Sequence, residues 1–153
     1  NTLISYEYNL DGLRTKKVID NTFLSTTEDK TITYTYLGNV LITEEHSDGS
    51  FLKYLYDESG IIGFKYYDGN NINTYYYVKN LLGDIVSIVD TNQNIVSSYT
   101  YDAYGNIINI TGEIGHINPY RYRSYYYDSE TALYYCNMTI KIYYKFIDDS
   151  ISN

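Results

Sequence analysis

YTYDAYG, residues 99–105, decides the fold because its pattern recurs along the chain. The template Y-x-Y-[DN]-x-x-G also matches, without gaps, YEYNLDG at residues 6–12 and YLYDESG at residues 54–60. Looser copies begin at Tyr34 (YTYLGN), Tyr75 (YYYVKNLLGD) and Tyr125 (YYYDSETA). The unit is about two dozen residues long, a period typical of repeat architectures.

Each copy of this motif predicts a β-hairpin. The two tyrosines of Y-x-Y lie on one face of a strand, because side chains alternate sides along a strand. The Asp or Asn and the Gly that follow are residues that tight turns require. A second run rich in β-branched residues comes next, as in DIVSIVD (residues 84–90) and IINI (residues 107–110). Further turn signals, such as Asp68-Gly69, separate the copies, so strand and turn alternate nearly throughout.

The composition indicates the same fold class. The chain has 153 residues with 23 Tyr, 4 Phe and no Trp, while the helix formers Ala and Met are scarce. We therefore expect an all-β protein of consecutive antiparallel hairpins, as one domain or one piece of a larger one. Equivalent tyrosines of stacked hairpins are expected to oppose one another on neighbouring strands, where an aromatic pair contributes roughly 0.2–1 kcal/mol. A platform for a ligand is the alternative role for these rings.

The charge pattern argues against two classes of partner. Eleven Lys and Arg against 19 Asp and Glu give a formal net charge of −8, and the basic residues are scattered apart from the pair Lys16-Lys17. A nucleic-acid-binding surface is therefore not expected. No apolar run approaches the roughly 18 residues of a membrane span. The N-terminal NTLISYEYNL has no signal-type pattern, and we expect the chain to be a section of a longer protein.

No catalytic, cofactor-binding or metal-binding residue is predicted. His46 and His116 lie far apart, outside metal-ligand spacings, and are expected to be exposed turn residues. The single cysteine, Cys136, has no histidine near it in the sequence and is expected to be a packed side chain. No serine lies in a G-x-S-x-G motif or beside a plausible base.

Three charged residues near the C-terminal tyrosines are expected to have structural roles. Arg121 and Arg123 would share one face of a strand, with the neighbouring tyrosines on the other face, and would stack or form salt bridges. Glu130 is expected to lie in a turn.

These motifs resemble the YD-repeat, or RHS-repeat, family. Residues 75–115 (YYYVKNLLGDIVSIVDTNQNIVSSYTYDAYGNIINITGEIG) are similar to its pattern of a tyrosine strand, L-G-[DS], an apolar strand, a polar turn and Y-x-Y-D-x-[YF]-G-N. Residues 118–135 (NPYRYRSYYYDSETALYY) resemble the RHS repeat-associated core segment, N-P-[YF]-R-[YF]-x-[GS]-x-Y-Y-D-x-E-T-G-L-Y-Y. The looser copies in residues 6–71 extend the resemblance over nearly the whole chain.

The resemblance implies an all-β spiral of hairpins that, in full-length members, winds into a hollow shell around a C-terminal toxic or effector segment. It also implies a bacterial protein that is secreted or displayed on the cell surface. In many members a pair of aspartates just after the core segment cleaves the chain and frees the cargo.

The residues after the core segment depart from the family pattern. Members usually continue with a stretch like [NR]-x-R-Y-Y-[DN]-P-x-x-G-R-F-[IL], whereas residues 136–150 read CNMTIKIYYKFIDDS. Lys145 stands where the first aspartate would be, and the P-x-x-G-R element before Phe146 is missing. Asp148 and Asp149 are adjacent, so in a strand they would point to opposite faces and could not share a proton. We therefore predict no self-cleavage activity.

The predicted organisation is YD/RHS repeats at residues 1–112, the core segment at residues 113–135 and a divergent tail at residues 136–153. The predicted function is that of a non-catalytic structural module, a fragment of a secreted or cell-surface shell that encloses or presents a C-terminal toxin or effector. Its partners would be the neighbouring repeats and the enclosed effector. The alternative is a Tyr-rich module that binds carbohydrate or cell-wall glycan through aromatic platforms.

Overall fold

The computed structural model describes residues 3–21 and 28–135, most of which form one sheet. Ten antiparallel strands follow one another in chain order, each paired with the next. They are β1 (Leu3–Tyr8), β2 (Arg14–Asp20), β3 (Lys30–Leu37), β4 (Val40–His46), β5 (Phe51–Asp57), β6 (Gly60–Tyr67), β7 (Ile72–Lys79), β8 (Ile85–Val89), β9 (Ile95–Tyr101) and β10 (Ile107–Thr111). Two short strands, β11 (Tyr126–Asp128) and β12 (Leu133–Tyr135), form a separate hairpin. The prediction of an all-β fold of consecutive hairpins is confirmed.

Four turns share one hydrogen-bond pattern, which an Asp or Asn side chain at the start of the turn sets; three of these turns belong to copies of the motif. The Asp102 side chain accepts hydrogen bonds from the backbone N–H groups of Tyr104 (2.8 Å) and Asn106 (2.9 Å). The Gly105 N–H donates to the Asp102 carbonyl oxygen at 3.2 Å. The same side-chain bonds recur in the turns that begin at Asn9, Asn80 and Asp90. Because this side chain substitutes for a backbone acceptor, it accounts for the Asp or Asn at the fourth position of the copies with turns at Asn9, Asn80 and Asp102.

In two copies of the motif, the second tyrosine of Y-x-Y is hydrogen-bonded to the hairpin before it. The Tyr56 hydroxyl in β5 donates to the carbonyl oxygen of Leu41 in β4 at 2.7 Å. The Tyr101 hydroxyl in β9 donates in the same way to Ile85 in β8 at 2.6 Å. These bonds run between hairpins, so they add to the backbone pairing of the adjacent strands.

The copy in β7 is aligned differently from the prediction that it begins at Tyr75. Its turn begins at Asn80, so the first tyrosine of the motif is Tyr77 and the second position is Lys79. The Lys79 ammonium group donates to the carbonyl oxygen of Ile61 in β6, the same kind of bond that the tyrosines make. With this alignment the copy has the same spacing from its first tyrosine to its glycine as the template. It departs from the template only at Lys79, which replaces the second tyrosine.

The first tyrosines of the motif point to one face of the sheet, which we call the inner face. Tyr34, Tyr54 and Tyr99 are between 3% and 5% exposed there. Their register partners on the next strand are Glu44, Phe64 and Ile110, in that order. The expectation that equivalent tyrosines oppose one another on neighbouring strands is therefore wrong. The second strand of each hairpin separates them, and it carries other residue types.

Residues 113–135, which we call the cover segment, lie against the inner face. The segment begins with a short helix, α1 (Glu113–Ile117), which contacts β9 and β10. It continues through a 3₁₀ turn (Tyr122–Ser124) and ends in the β11–β12 hairpin. Tyr126 belongs to the same buried cluster as Tyr34, Tyr54 and Phe64. The hydrophobic core is thus enclosed between the sheet and this segment. Among the described residues, no helix is long and apolar enough to cross a bilayer.

The two arginines of the cover segment do not share a strand face, contrary to the prediction. Arg123 and Ser124 adopt φ angles of 52° and 54°, which turn the chain at the point where an extended strand was expected. Arg121 is consequently buried and Arg123 is exposed. The expected stacking and ion pairing are present: Arg121 lies over the Tyr127 ring at 4.6 Å, and Arg123 Nε lies 3.5 Å from Asp84.

A glycine at position 132 is expected to stabilise the protein. Ala132, between β11 and β12, has a φ of 56°, a region in which a Cβ atom costs roughly 1–2 kcal/mol. Since glycine also gains entropy in the unfolded chain, the expected net increase in the free energy of unfolding for Ala132→Gly is about 0.5–1 kcal/mol. Urea denaturation measures it.

Ala103→Gly is the matched control. Ala103 lies in the exposed turn after β9 and does not have a positive φ, so its replacement is expected to lower stability slightly or leave it unchanged. Equal losses of stability in the two variants would contradict the strain argument.

Candidate functional site

The contact between the inner face and the cover segment is the candidate functional site. Tyr126 of β11 packs edge-on against Tyr34 with ring centres 6.0 Å apart, and Tyr120 packs edge-on against Tyr54 at 4.9 Å. Tyr120 and Tyr126 also contact each other at 5.6 Å. Edge-to-face packing is a preferred arrangement of aromatic rings. The rings of two different repeats are therefore joined through the rings of the cover segment.

Asn118, which is fully buried, joins two further repeats. Its Oδ1 accepts a hydrogen bond from the Tyr77 hydroxyl at 2.6 Å, and its Nδ2 donates to the Tyr99 hydroxyl at 3.0 Å. The Tyr99 hydroxyl in turn donates to the carbonyl oxygen of Gly115 at 2.7 Å. Buried polar groups need such partners, so the asparagine and the two tyrosines stabilise one another.

Arg121 holds the N-terminal half of the cover segment together. Its Nε donates to the carbonyl oxygen of Asn118 at 3.1 Å, and its Nη2 donates to that of Gly115 at 3.3 Å. The planar guanidinium group presents several donors in a fixed geometry, which suits the carbonyl groups that follow a helix end. The buried arginine therefore has a structural role at the C-terminus of α1.

A buried ion cluster ties β2 to the C-terminal half of the cover segment. The Asp128 carboxylate accepts hydrogen bonds from Arg14 Nη1 at 2.7 Å and from Lys17 Nζ at 3.1 Å. Lys17 Nζ also donates to Glu130 at 3.0 Å. The side chains of Arg14, Lys17 and Asp128 are at most 7% exposed. These three charged side chains are therefore largely shielded from water.

The pKa of each of the two cations is raised in this cluster. Burial by itself disfavours a charged form and would lower both values. For Arg14, the coulombic attraction and the hydrogen bond of Asp128 outweigh burial. For Lys17, the interactions with Tyr34 and then Asp128 do so. Both residues therefore remain positively charged inside the folded protein.

Arg14 is also enclosed by two aromatic rings. Its guanidinium carbon lies 4.2 Å from the ring centre of Tyr6 in β1 and 4.7 Å from that of Tyr135 in β12. Such cation–π contacts gain strength when the cation is desolvated. The first tyrosine of the first motif is thus linked to the last strand of the cover segment through this arginine.

Glu44 supplies a second buried carboxylate, opposite Tyr34 in the sheet. Its Oε2 accepts hydrogen bonds from the hydroxyls of Tyr54 (2.8 Å) and Tyr126 (2.6 Å), and its Oε1 lies 2.8 Å from His46 Nε2. Burial raises the pKa of Glu44, but the bonds to His46 and the two tyrosines outweigh burial and lower it below the usual value. The group therefore acts as an ionised acceptor for the sheet and the cover segment together.

A serine, a histidine and this glutamate are bonded in series, the order found in many hydrolases. Ser50 Oγ lies 3.2 Å from His46 Nδ1, and the other ring nitrogen contacts Glu44. A nucleophilic serine has to give its single proton to the histidine. Here the Ser50 hydroxyl donates instead to Asp48 Oδ1 at the shorter distance of 2.6 Å. The series therefore stabilises the turn between β4 and β5, and it does not activate the serine.

A cavity of about 310 Å³ lies between the inner face and the cover segment. Its walls carry charged groups of both signs, among them Lys17, Lys30, Arg121, Glu44, Asp48, Glu113 and Glu130. Because the signs are mixed, the walls do not select a ligand of one charge. In residues 3–21 and 28–135, no group of three or more His, Cys, Asp or Glu side chains is arranged to hold a metal ion.

The histidines and Glu130 differ in how well their positions match the predictions. His46 lies in β4, is largely buried and contacts Glu44, so its predicted exposure in a turn is wrong. His116 is exposed as predicted, but it lies in α1. Glu130 lies in the turn between β11 and β12, where it also pairs with Lys17. The residues that concern self-cleavage and the free thiol lie outside the described residues; they are Cys136, Lys145, Asp148 and Asp149.

Sequence reasoning missed the buried charged residues of the site, which are Arg14, Lys17, Glu44 and Asp128. One signal for Lys17 was available. Adjacent residues of a strand face opposite sides, so one member of the Lys16-Lys17 pair has to point inward when the strand covers a core. Asp128 carried no such signal, because its partners are more than 100 residues away in the sequence.

The chain is similar in sequence to part of much longer tRNA nucleases. It is 35% identical over 136 residues to tRNA nuclease WapA of Bacillus subtilis strain 168, and 32% identical over 136 residues to tRNA3(Ser)-specific nuclease WapA of Bacillus spizizenii. Each match covers 86% of this chain but only 5% of the relative. The chain thus spans a small fraction of the length of these curated relatives. No protein-family model matches it.

Solved structures with a similar fold are also much longer chains. The crystal structure of TcdB2-TccC3 superposes with a TM-score of 0.69 and 21% sequence identity, over 88% of this chain and 7% of that chain. The crystal structure of TcdB2-TccC3-TEV gives a TM-score of 0.64 and 21% identity, over 86% of this chain and 7% of that chain. At this level of identity the similarity establishes the fold.

Removing the charge of Asp128 is expected to destabilise the protein strongly. Asp128→Asn leaves Arg14 and Lys17 buried without their shared carboxylate, which is expected to lower the free energy of unfolding by about 3–5 kcal/mol. Glu7→Gln is the control, because Glu7 of β1 pairs with Lys16 of β2 at 3.1 Å and both of these side chains are exposed. Its expected effect is below about 1 kcal/mol. Urea denaturation of both variants would contradict the role of the cluster if the two losses were equal.

The protein is expected to unfold in alkali between the ordinary and the raised tyrosine pKa. Burial raises the pKa of Tyr34 from 10.0 to about 12, and it raises the pKa of Tyr54 and Tyr126 as well. A group whose pKa is raised in the folded state stabilises that state fully below its unfolded pKa. The stabilisation is therefore complete below pH 10 and is lost above it, by roughly 1 kcal/mol per tyrosine for each pH unit until the folded pKa is reached.

Phenolate absorbance and far-ultraviolet circular dichroism, recorded together against pH, measure this effect. The buried tyrosines are expected to ionise only as the sheet signal disappears. Ionisation of all 23 tyrosines in one step near pH 10, with the sheet signal intact, would show that their burial is not coupled to folding.

Proposed function

We propose that this RHS-related chain is a non-catalytic structural module, a section of a secreted or cell-surface RHS-repeat shell that encloses or presents a C-terminal toxin or effector. In this proposal residues 1–112 are the YD repeats, residues 113–135 are the RHS repeat-associated core segment and residues 136–153 are a divergent tail. The nuclease activity for which the WapA relatives are named would then belong to other parts of those long proteins.

The observation that carries the proposal is that the inward-facing motif tyrosines are joined to the cover segment, most of them directly. Tyr34 and Tyr54 contact its rings, Tyr77 and Tyr99 bond to its asparagine, and Tyr6 is linked to it through Arg14. A surface that binds a diffusible substrate needs groups that are free to contact the ligand. In this protein the motif tyrosines instead hold the cover segment against the inner face of the sheet, which is the arrangement expected of a structural shell.

The edge strands support neighbouring repeats as the partners of this module. β1 and β10 are the two ends of the main sheet, so each has one side without a strand partner in the described structure. Unpaired strand edges readily pair with further strands. Additional hairpins at either end would continue the sheet with the same geometry that its ten strands already have.

The carbohydrate-binding alternative receives less support. Aromatic recognition of a sugar requires a ring face that solvent can reach. Tyr34, Tyr54 and Tyr99 are at most 5% exposed, and their ring faces are covered by the protein. Tyr104 is 88% exposed, and it is the better candidate for such a contact.

Protease protection of the effector tests the proposal. In the longer protein we expect the region C-terminal to this module to resist a protease that digests it rapidly when it is produced alone. Asp128→Asn, which loosens the cover segment from β2, is expected to speed its digestion by roughly tenfold or more, because cleavage follows the population of opened molecules. Glu7→Gln is expected to leave the rate unchanged. Enclosure would be ruled out if the effector region were digested at the rate of the free effector in the unchanged longer protein and in both of its variants.

Binding to purified cell wall tests the alternative in parallel. The proposal predicts that the 153-residue chain is not retained on cell wall. Retention that is lost in Tyr104→Ala, with unchanged circular dichroism, would favour the carbohydrate-binding alternative.

A further inference from the structure

The cavity between the inner face and the cover segment has a basic end. Lys17 of β2 and Lys30 of β3 line its wall there, beside Glu130. Burial raises the pKa of Glu130, but Lys17 and, to a smaller extent, Lys30 lower it below the usual value. Together with Arg14 and Asp128 of the ion cluster, this end holds three cations against two carboxylates. It therefore has an excess of positive charge.

The other end of the cavity is acidic. Asp48 of the turn between β4 and β5 and Glu113 of α1 line the wall there, beside Tyr66 of β6. Burial raises the pKa of Tyr66, and the negative charges of Asp48, Asp68 and Glu113 raise it further. Several carboxylates thus act on one hydroxyl group, and this end attracts a cation.

Two other charged residues of the wall are held by the protein itself. Arg121 donates hydrogen bonds to carbonyl oxygens of the cover segment. Glu44 accepts hydrogen bonds from the hydroxyls of Tyr54 and Tyr126. A ligand in the cavity would therefore meet a field that is positive near β2 and β3 and negative near β6 and α1.

The distance between the two ends sets the length of a matching ligand. Lys30 lies in β3 and Tyr66 lies in β6, three strand spacings away, or about 14 Å at the backbone. The long side chains of Lys30 and Glu113 shorten the gap that a ligand has to bridge. Three extended residues span about 10 Å, which fits this gap. The cavity volume of about 310 Å³ is typical of a site for a small ligand.

We propose that the cavity binds a short peptide of about three residues with free ends, its ammonium group at Asp48 and Glu113 and its carboxylate at Lys30 and Lys17. A lysine ammonium group has three N–H donors, and the ion cluster uses two of those of Lys17. Asp48 and Glu113 are exposed, so the peptide can enter from solvent at the acidic end. This inference does not depend on the function proposed above.

A peptide in this position would contact the sheet and the cover segment together. Lys30 belongs to the sheet and Glu113 to the cover segment. A ligand that binds only the folded state stabilises it by mass action. The midpoint of thermal unfolding is therefore expected to rise with the concentration of peptide.

Calorimetric titration of the 153-residue chain with trialanine tests the inference. Trialanine is expected to bind with a dissociation constant below about 1 mM. N-acetyl-trialanine and trialanine amide each lack one terminal charge, and each is expected to bind at least roughly tenfold more weakly, since bonds to charged groups are the stronger ones. Free alanine is too short to reach both ends, and the same loss is expected for it.

Two variants with matched controls test the residues. Glu113→Gln and Lys30→Gln are each expected to weaken trialanine binding by roughly tenfold. Glu58→Gln and Lys53→Gln remove the same charges at exposed positions away from the cavity, and the affinity is expected to be unchanged. Circular dichroism checks that each variant is folded, and the blocked peptides test the site without any substitution.

Three results would overturn the inference. The first is the absence of trialanine binding below about 10 mM. The second is equal binding of trialanine and its two blocked forms, which would show that the terminal charges are not recognised. The third is an equal effect of the cavity variants and their controls. None of these results would alter the protease protection expected of the longer protein, so the proposed function would stand.

Discussion

Hydrogen bonding of the buried tyrosine hydroxyls is the constraint on which the rest of the structure depends. A tyrosine ring buries a large apolar surface, but its hydroxyl costs about 1–3 kcal/mol when it is buried without a partner. The sheet provides such a partner for Tyr54, the Glu44 carboxylate, but it does not provide one for the other buried motif tyrosines; Ile110, for example, lies opposite Tyr99. Asn118, the Gly115 carbonyl oxygen and the Tyr126 hydroxyl provide them from the cover segment. The sheet and the cover segment therefore form a single cooperative unit.

The buried charges add specificity to this unit. Apolar contacts between rings tolerate some sliding, whereas an ion pair between β2 and β11 fixes the position of the C-terminal hairpin. Replacing a buried ion pair by apolar residues often leaves the free energy of unfolding unchanged or raises it. The main effect of this cluster is therefore to fix the position of the C-terminal hairpin. Glu44 acts similarly between β4 and the cover segment, because it accepts bonds from residues of both.

The site as a whole is built for attachment within the protein. Most of its buried donors and acceptors are paired with one another, although Arg14 Nε has no hydrogen-bond partner in the described structure. The serine–histidine–glutamate series directs its serine proton to Asp48. The sequence similarity to WapA nucleases and the fold similarity to TcdB2-TccC3 are both consistent with a section of a much larger protein. The structural module proposed above accounts for these features.

The sequence by itself determined the hairpins, their consecutive order and the residues that form their turns. These are local properties, because an Asp such as Asp102 bonds within four residues and side chains alternate along each strand. Only the tertiary structure decided that β7 is aligned at Tyr77, that Lys17 and Glu44 point inward and that Arg123 breaks a strand. Arg14 and Asp128 are 114 residues apart, and no local pattern specifies such a pair. Its partners are selected by the packing of the cover segment on the finished sheet.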